Sequence, residues 1–251
     1  MLAPMLLLDT DTRELSEAAF GDDQGRLLPE ETIEMPLRRS QDYKEDSRQI
    51  LEWLSRRWLF NIPRSLQTEG LWPLGRLALV DHAGTVTSRL QQVIVKLCKD
   101  ATRLQLLPRV VIVASPSGGT GGGMVTDVAF LARQIIEEQP SANGIEVISV
   151  LIHGTNRNPQ QQELAAANTV ATLTELAQFH RSGVMFPGDA ACGLKPREAD
   201  CGALDGVYLI HAGEELSTQQ MAETSDRVAE FLMLDAITPA GNLLEIGRAH
   251  V

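Results

Sequence analysis

Aromatic side chains are scarce in this chain, at 4% of 251 residues. So few rings exclude a base-stacking platform for single-stranded nucleic acid. Basic residues are outnumbered as well: 22 Lys and Arg stand against 33 Asp and Glu, a formal net charge of −11. That balance argues against non-specific binding to a phosphate backbone, and no nucleic-acid partner is expected. Long hydrophobic runs are missing; stretches such as Val110–Ala114 fall far below the about 18 residues that a spanning helix needs. Met1–Leu8 is apolar, but it has no basic flank or small-residue cleavage site and is cut short by Asp9 and Asp11, so it does not read as a signal peptide. Cysteine is sparse and odd in number, with Cys98, Cys192 and Cys201. Their spacing excludes a CxxC metal knuckle, no His pair stands at ligand spacing, and a reducing cytoplasm is the expected setting.

What is abundant points to a folded domain. At 43% hydrophobic and 22% charged, the chain has the composition of a globular protein with a full core. Short apolar runs at Met5–Leu8, Leu77–Val80, Val110–Ala114, Ile145–Ile152 and Val207–Ile210 alternate with amphipathic stretches. Each run is too short for a helix and too uniformly apolar for a half-exposed strand, so each predicts a strand covered on both faces. Helical periodicity marks Ser47–Phe60, Val86–Leu97, Met124–Glu138, Glu163–Phe179 and Met221–Ile237. The alternation predicts an α/β fold: a three-layer, Rossmann-like parallel sheet with helices on both faces. Right-handed crossovers then gather the loops after the strands on one edge, where such sheets bind ligands. Asp9, Asp11, His82, Gly84, the glycine cluster and Asn156 are expected there. Phe20–Tyr43 and Phe186–Gly206 are irregular and read as a loop over the sheet edge and a surface excursion.

The most informative segment is Ser115-Pro116-Ser117-Gly118-Gly119-Thr120-Gly121-Gly122-Gly123-Met124. It joins a buried strand directly to a helix. Five glycines within six residues lose an unusual amount of backbone entropy on folding. Close approach of backbone N–H groups to an anion, backed by the helix dipole, is the direct reason to keep them. Thr120 adds a hydroxyl. A phosphate-binding turn over Ser117, Gly118, Gly119, Thr120, Gly121, Gly122 and Gly123 is therefore expected. It is not a Walker A loop, because Met124 stands where Lys would follow the last glycine. Met124 also occupies the place of the third glycine in a dinucleotide fingerprint, which counts against an NAD-dependent oxidoreductase.

Gly118–Gly123 resembles the signature loop of the tubulin and bacterial cell-division-tubulin superfamily, and the chain is most similar to the bacterial tubulin-like proteins. Leu6–Asp11 resembles their second strand, Leu74–Gly84 their third strand and loop, Ala167–Leu176 their fifth helix, and Asp226–Leu232 the start of their central helix. The resemblance runs from about Met5 to Glu245 and implies GTP as ligand, with Mg²⁺ carried by the nucleotide. It places Gly118–Gly123 on the β- and γ-phosphates, His82, Ala83 and Gly84 on a γ-phosphate-sensing loop, and Asn156 with Arg157 on the ribose side. It puts Ser225 and Asp226 in the first turn of the helix that meets the guanine edge, where Asp226 either reads guanine or merely caps the helix. Asp9 is a ligand contact or a strand-end cap, and Asn168 a ligand contact or an ordinary helical residue.

Three departures accompany the resemblance. The family's opening strand, central in its sheet, and that strand's glycine loop have no counterpart before Met5. After Thr238-Pro239-Ala240-Gly241 no catalytic carboxylate can be assigned, and no activation domain follows. Ile246–Val251 resembles a translated sequencing adapter. The expectation is a partial GTP-binding domain over residues 1–245 with a non-native tail at 246–251, taken from a longer gene. The implied partners are GTP or GDP and further copies of the chain in a filament, with hydrolysis completed at the subunit interface. A non-polymerising nucleotide-binding switch or scaffold is the alternative.

Overall fold

A computed structural model describes residues 4–20, 27–45, 47–104, 108–139 and 144–237. Five strands are present among them, β1 (Leu7–Asp9), β2 (Thr32–Glu34), β3 (Arg109–Ala114), β4 (Glu146–Gly154) and β5 (Gly206–Gly213). Every pairing is parallel, in two sheets ordered β1-β2 and β3-β4-β5. The helices are α1 (Thr12–Phe20), α2 (Ser47–Ile50), α3 (Arg56–Leu59), α4 (Trp72–Leu104), α5 (Gly119–Glu137), α6 (Pro159–Phe179) and α7 (Thr218–Ile237). The expected α/β class holds: parallel strands flanked by helices. The unit β3–α5–β4–α6–β5–α7 follows the alternation read from the sequence.

The largest correction lies at Leu77–Val80. This run is not a strand, and Asp81–Gly84 is not a loop; both belong to α4, a helix of 33 residues. Leu74, Leu77, Ala78 and Leu79 are buried between neighbouring elements, so this half of α4 is apolar on most sides and shows no amphipathic stripe. Beyond it, Val86, Leu90, Ile94 and Cys98 recur at helical spacing on one buried face. Pro73 occupies the first turn, where its missing N–H costs nothing.

Three smaller differences follow from burial. Ser47–Phe60 forms two short helices, α2 and α3, with Leu54 buried between them. The irregular 27–43 segment contributes β2, which pairs in register with β1, and it buries Met35, Leu37 and Tyr43. Tyr43 is held by its hydroxyl, which donates to the Asp81 carboxylate on α4, while Arg38 donates to the same carboxylate at 2.7 and 3.0 Å. The 186–206 segment is no surface excursion. Phe186 stacks on Phe130 of α5 with ring centroids 3.7 Å apart, and Cys192 and Leu194 are buried.

The two sheets meet across an open space. The β1 residues and the β3 residues line one cavity of about 610 Å³, with Leu90, Val93, Ile94 and Leu97 of α4 and Val125 and Val128 of α5 on its apolar side. Among the described residues no strand pairs with the facing edges of β1 and β3. Thr238–Gly241 and the 246–251 tail lie outside the described residues.

Candidate functional site

The polar end of this cavity lies at the carboxyl ends of β1 and β3. Asp9 ends β1, Thr10 and Asp11 follow it, Glu14 lies on α1, Thr68 comes from the segment before α4, and Ser115 and Gly118–Gly121 from the turn into α5 and its first residues. The glycine turn is shorter than the sequence suggested. Gly118 is the N-cap of α5, with φ −89° and ψ 164°, and Gly119–Gly123 already form its first turns. No side chain caps this helix end. Its first N–H groups and the positive end of its dipole therefore face the cavity.

A cluster of hydroxyls surrounds that end. Thr120 Oγ1 lies 3.0 Å from both Thr10 Oγ1 and Thr68 Oγ1, and it donates to Asp9 Oδ1 at 3.5 Å. The same Asp9 oxygen accepts from the Asp11 amide at 3.0 Å. Burial, and then the charges of Asp9 and Asp11, raise the pKa of Glu14 above the usual carboxylate value. The site thus sets anion-binding amides beside a group of carboxylates, a combination suited to an anion that arrives with its own cation.

The glycines divide by what a side chain would meet. At Gly118 a Cβ would find nothing closer than Ser115 O at 3.9 Å. At Gly122 it would stand 2.8 Å from Pro116 O and 2.9 Å from Thr172 Oγ1, and at Gly123 2.1 Å from Trp72 O. At Gly75, on α4, it would stand 2.2 Å from Gly119 O. At Gly119 it would stand 2.8 Å from Leu71 N and from Thr68, so the entropy cost of the cluster is largely explained by close packing, and Gly118 alone of these glycines faces open space.

The other candidate residues are spread. Asn168 is buried on α6 and donates to Gly70 O at 2.7 Å and to Ser117 O at 2.9 Å, which ties the turn to the approach of α4. Asn156 follows β4 at the surface, where its side chain accepts from the Asn158 amide at 3.0 Å and pairs with Gln161. His82, Ala83 and Gly84 sit within α4 and do not line the cavity; His82 Nε2 pairs with Pro36 O at 2.9 Å. Asp226 is exposed in the middle of α7 and neither opens nor caps it, because the helix starts eight residues earlier at Thr218. Thr10 and Thr68 were not legible as site residues. A threonine carries no pattern of its own, and only the fold brings Thr10, Thr68 and Thr120 together.

Behind the glycines, α4, α5 and α6 share a buried ionic group. Arg76 lies 2.9 Å from Asp189 and 3.4 Å from Asp127, with the Trp53 ring beside its guanidinium. Burial pushes the Asp127 pKa up to about 6 against the pull of Arg76, with Glu175 and Asp189 adding to the rise.

The family follows from a match along the chain. A family model described as tubulin-like matches residues 2–248. The chain belongs to the tubulin-like family. No curated protein matches this tubulin-like chain. The family match covers the glycine turn, both sheets and every helix described above. Among the described residues, no helix of the tubulin-like chain is long and apolar enough to cross a membrane.

Proposed function

We propose that this tubulin-like chain binds GTP, with its Mg²⁺, at the uncapped amino end of α5, as part of a longer bacterial protein that self-associates in the cytoplasm. One observation carries the reading. Gly118 and the first turn of α5 leave amides, an open space and the Thr120 hydroxyl together at the carboxyl end of a parallel strand. A phosphate tail there accepts from the amides and from Thr120. Asp9, Asp11 and Glu14 border the same space, so the tail needs the cation that accompanies a nucleoside triphosphate. Mg²⁺ would neutralise the phosphate charge during hydrolysis, and a carboxylate of a neighbouring copy would position the water.

The edges of β1 and β3 at the cavity pair with no strand among the described residues, which supports the reading of a partial domain. Genomic sequence upstream of Met1 tests this part, and an in-frame stop just before it removes the fragment reading. Labelled-nucleotide filtration on the full-length protein tests the function. GTP retention, with turnover rising steeply with protein concentration, is the expected result. Retention without that dependence favours a non-polymerising switch or scaffold, and selective NAD retention a dinucleotide enzyme. Gly118→Val sharpens the test, since its side chain enters the open space beside the turn without striking backbone. Retention should fall at least about tenfold, the effect of losing about 1.4 kcal/mol of binding energy. Wild-type retention in this variant discards the phosphate turn.

A further inference from the structure

Beside the glycine turn, Ser117 meets two side chains that the nucleotide reading leaves unused, His153 of β4 and Thr169 of α6. His153 is the penultimate residue of β4, and Ser117 immediately precedes the N-cap of α5. Ser117 Oγ lies 2.7 Å from His153 Nδ1, and Thr169 Oγ1 of α6 lies 2.9 Å from the same nitrogen. The two hydroxyl oxygens are 3.3 Å apart. Thr169 Oγ1 also lies 2.8 Å from the carbonyl oxygen of Ala165.

Counting protons assigns the donors. A carbonyl only accepts, so the single Thr169 hydroxyl proton goes to Ala165. The contact between Thr169 and Nδ1 is then attractive only if the nitrogen carries the hydrogen. With a bare Nδ1, two lone pairs would face each other at 2.9 Å. An Nδ1–H instead points at the oxygens of both Thr169 and Ser117. Ser117 accepts from His153, and its own proton, which in the free protein has only Thr169 Oγ1 at 3.3 Å to go to, can turn to an anion at the amino end of α5.

We propose that His153 is a positioning residue for the anion: its Nδ1–H holds Ser117 so that the serine hydroxyl donates to a phosphate oxygen, and its Nε2 takes up a proton when the phosphate binds. This rests on the phosphate-turn reading above. Two titratable groups act on His153, His211 on β5 with ring centroids 5.4 Å apart and Glu214 just after that strand, while the turn and α6 contribute the hydroxyls of Ser117 and Thr169. Burial and then His211 lower the His153 pKa below its ordinary value, and Glu214 pulls the other way. Burial and His211 both favour the neutral ring in the free protein. A nearby phosphate stabilises the imidazolium, so affinity rises as pH falls through the histidine range, at most tenfold per unit.

Calorimetry of GTP binding to the full chain, at pH 7.5 and 6.0 in buffers of different ionisation enthalpy, reads the proton directly. Wild type should take up protons and bind several-fold more tightly at pH 6.0. His153→Gln, whose amide still donates to Ser117, should lose the uptake while keeping most of the pH 7.5 affinity. His211→Gln should move the wild-type pH profile upward. Proton uptake that persists unchanged in His153→Gln, or is absent from wild type that binds GTP, overturns the assignment. If GTP binds at neither pH, it is the nucleotide reading that fails. Imidazole nitrogen spectra then decide this one with sodium pyrophosphate: a raised His153 pKa supports it and an unmoved one refutes it. An unprotonated Nδ1 at pH 7.5 in the free protein refutes it outright.

Discussion

Gly118 and Gly123 stand at opposite ends of one glycine run and answer to different neighbours. The first faces open space at a helix end, and the second is pressed against the Trp72 carbonyl of α4. Both look alike in the sequence. A glycine cluster can therefore have two separable causes, open space kept at a helix end and a helix that must come close. The position a Cβ would take is what tells them apart. The same contrast divides α5, whose amino end meets the cavity and whose buried flank carries Asp127 onto Arg76.

The largest expected effect breaks the close-packed side of that contrast. Gly123→Val puts a branched side chain where even Cβ lies 2.1 Å from backbone. It should cost about 4 kcal/mol or abolish folding, because neither helix backbone can yield locally. Gly118→Ser, with no atom nearer than 3.9 Å and a good N-cap residue, should stay within about 0.5 kcal/mol of wild type or gain slightly. Urea unfolding measures both, and equal losses would erase the distinction.

A second effect concerns the ionic group that ties the flank of α5 to α4. The folded pKa of Asp127 is raised from 3.8 to about 6, so its protonated form is the one the fold prefers. The stability it contributes is complete below pH 3.8 and is lost as pH rises through about 6. Two units at about 1.4 kcal/mol each give about 3 kcal/mol across that window. Asp127→Asn should flatten the slope of stability between pH 4 and 7. An unchanged slope would place the titration elsewhere.

The smallest effect sharpens the reading of α4. Gly84 is exposed within the helix, and no atom would lie within 4 Å of an added Cβ. Gly84→Ala should therefore stabilise by about 0.8 kcal/mol, the propensity difference in a helix interior. In a loop at the sheet edge the same change would bring no such gain, so a thermal melt separates the two structures of residues 81–84.

That segment also shows where the sequence stopped being legible. The units β3–α5, β4–α6 and β5–α7 could be read because an apolar run, a turn and an amphipathic stretch followed one another each time. Leu77–Val80 offered the same short apolar run, yet a run of four cannot distinguish a buried strand from a helix buried on most sides. β2 escaped notice because Thr32-Ile33-Glu34 holds only one apolar residue and gains its partner solely from β1. The turn itself was plain from its glycines, whereas Thr68 joined the cavity wall from a segment with no pattern pointing there.

Composition and order along the chain determined the α/β class, a strand-to-helix junction at the glycine run and membership of the tubulin-like family, since periodicity and a glycine run are local properties. Packing decided which glycine faces open space and which serve a helix seam, that residues 72–104 form one helix, and that Thr10, Thr68 and Thr120 share one place. Those outcomes depend on distances between residues far apart in the chain, and no local pattern encodes such a distance.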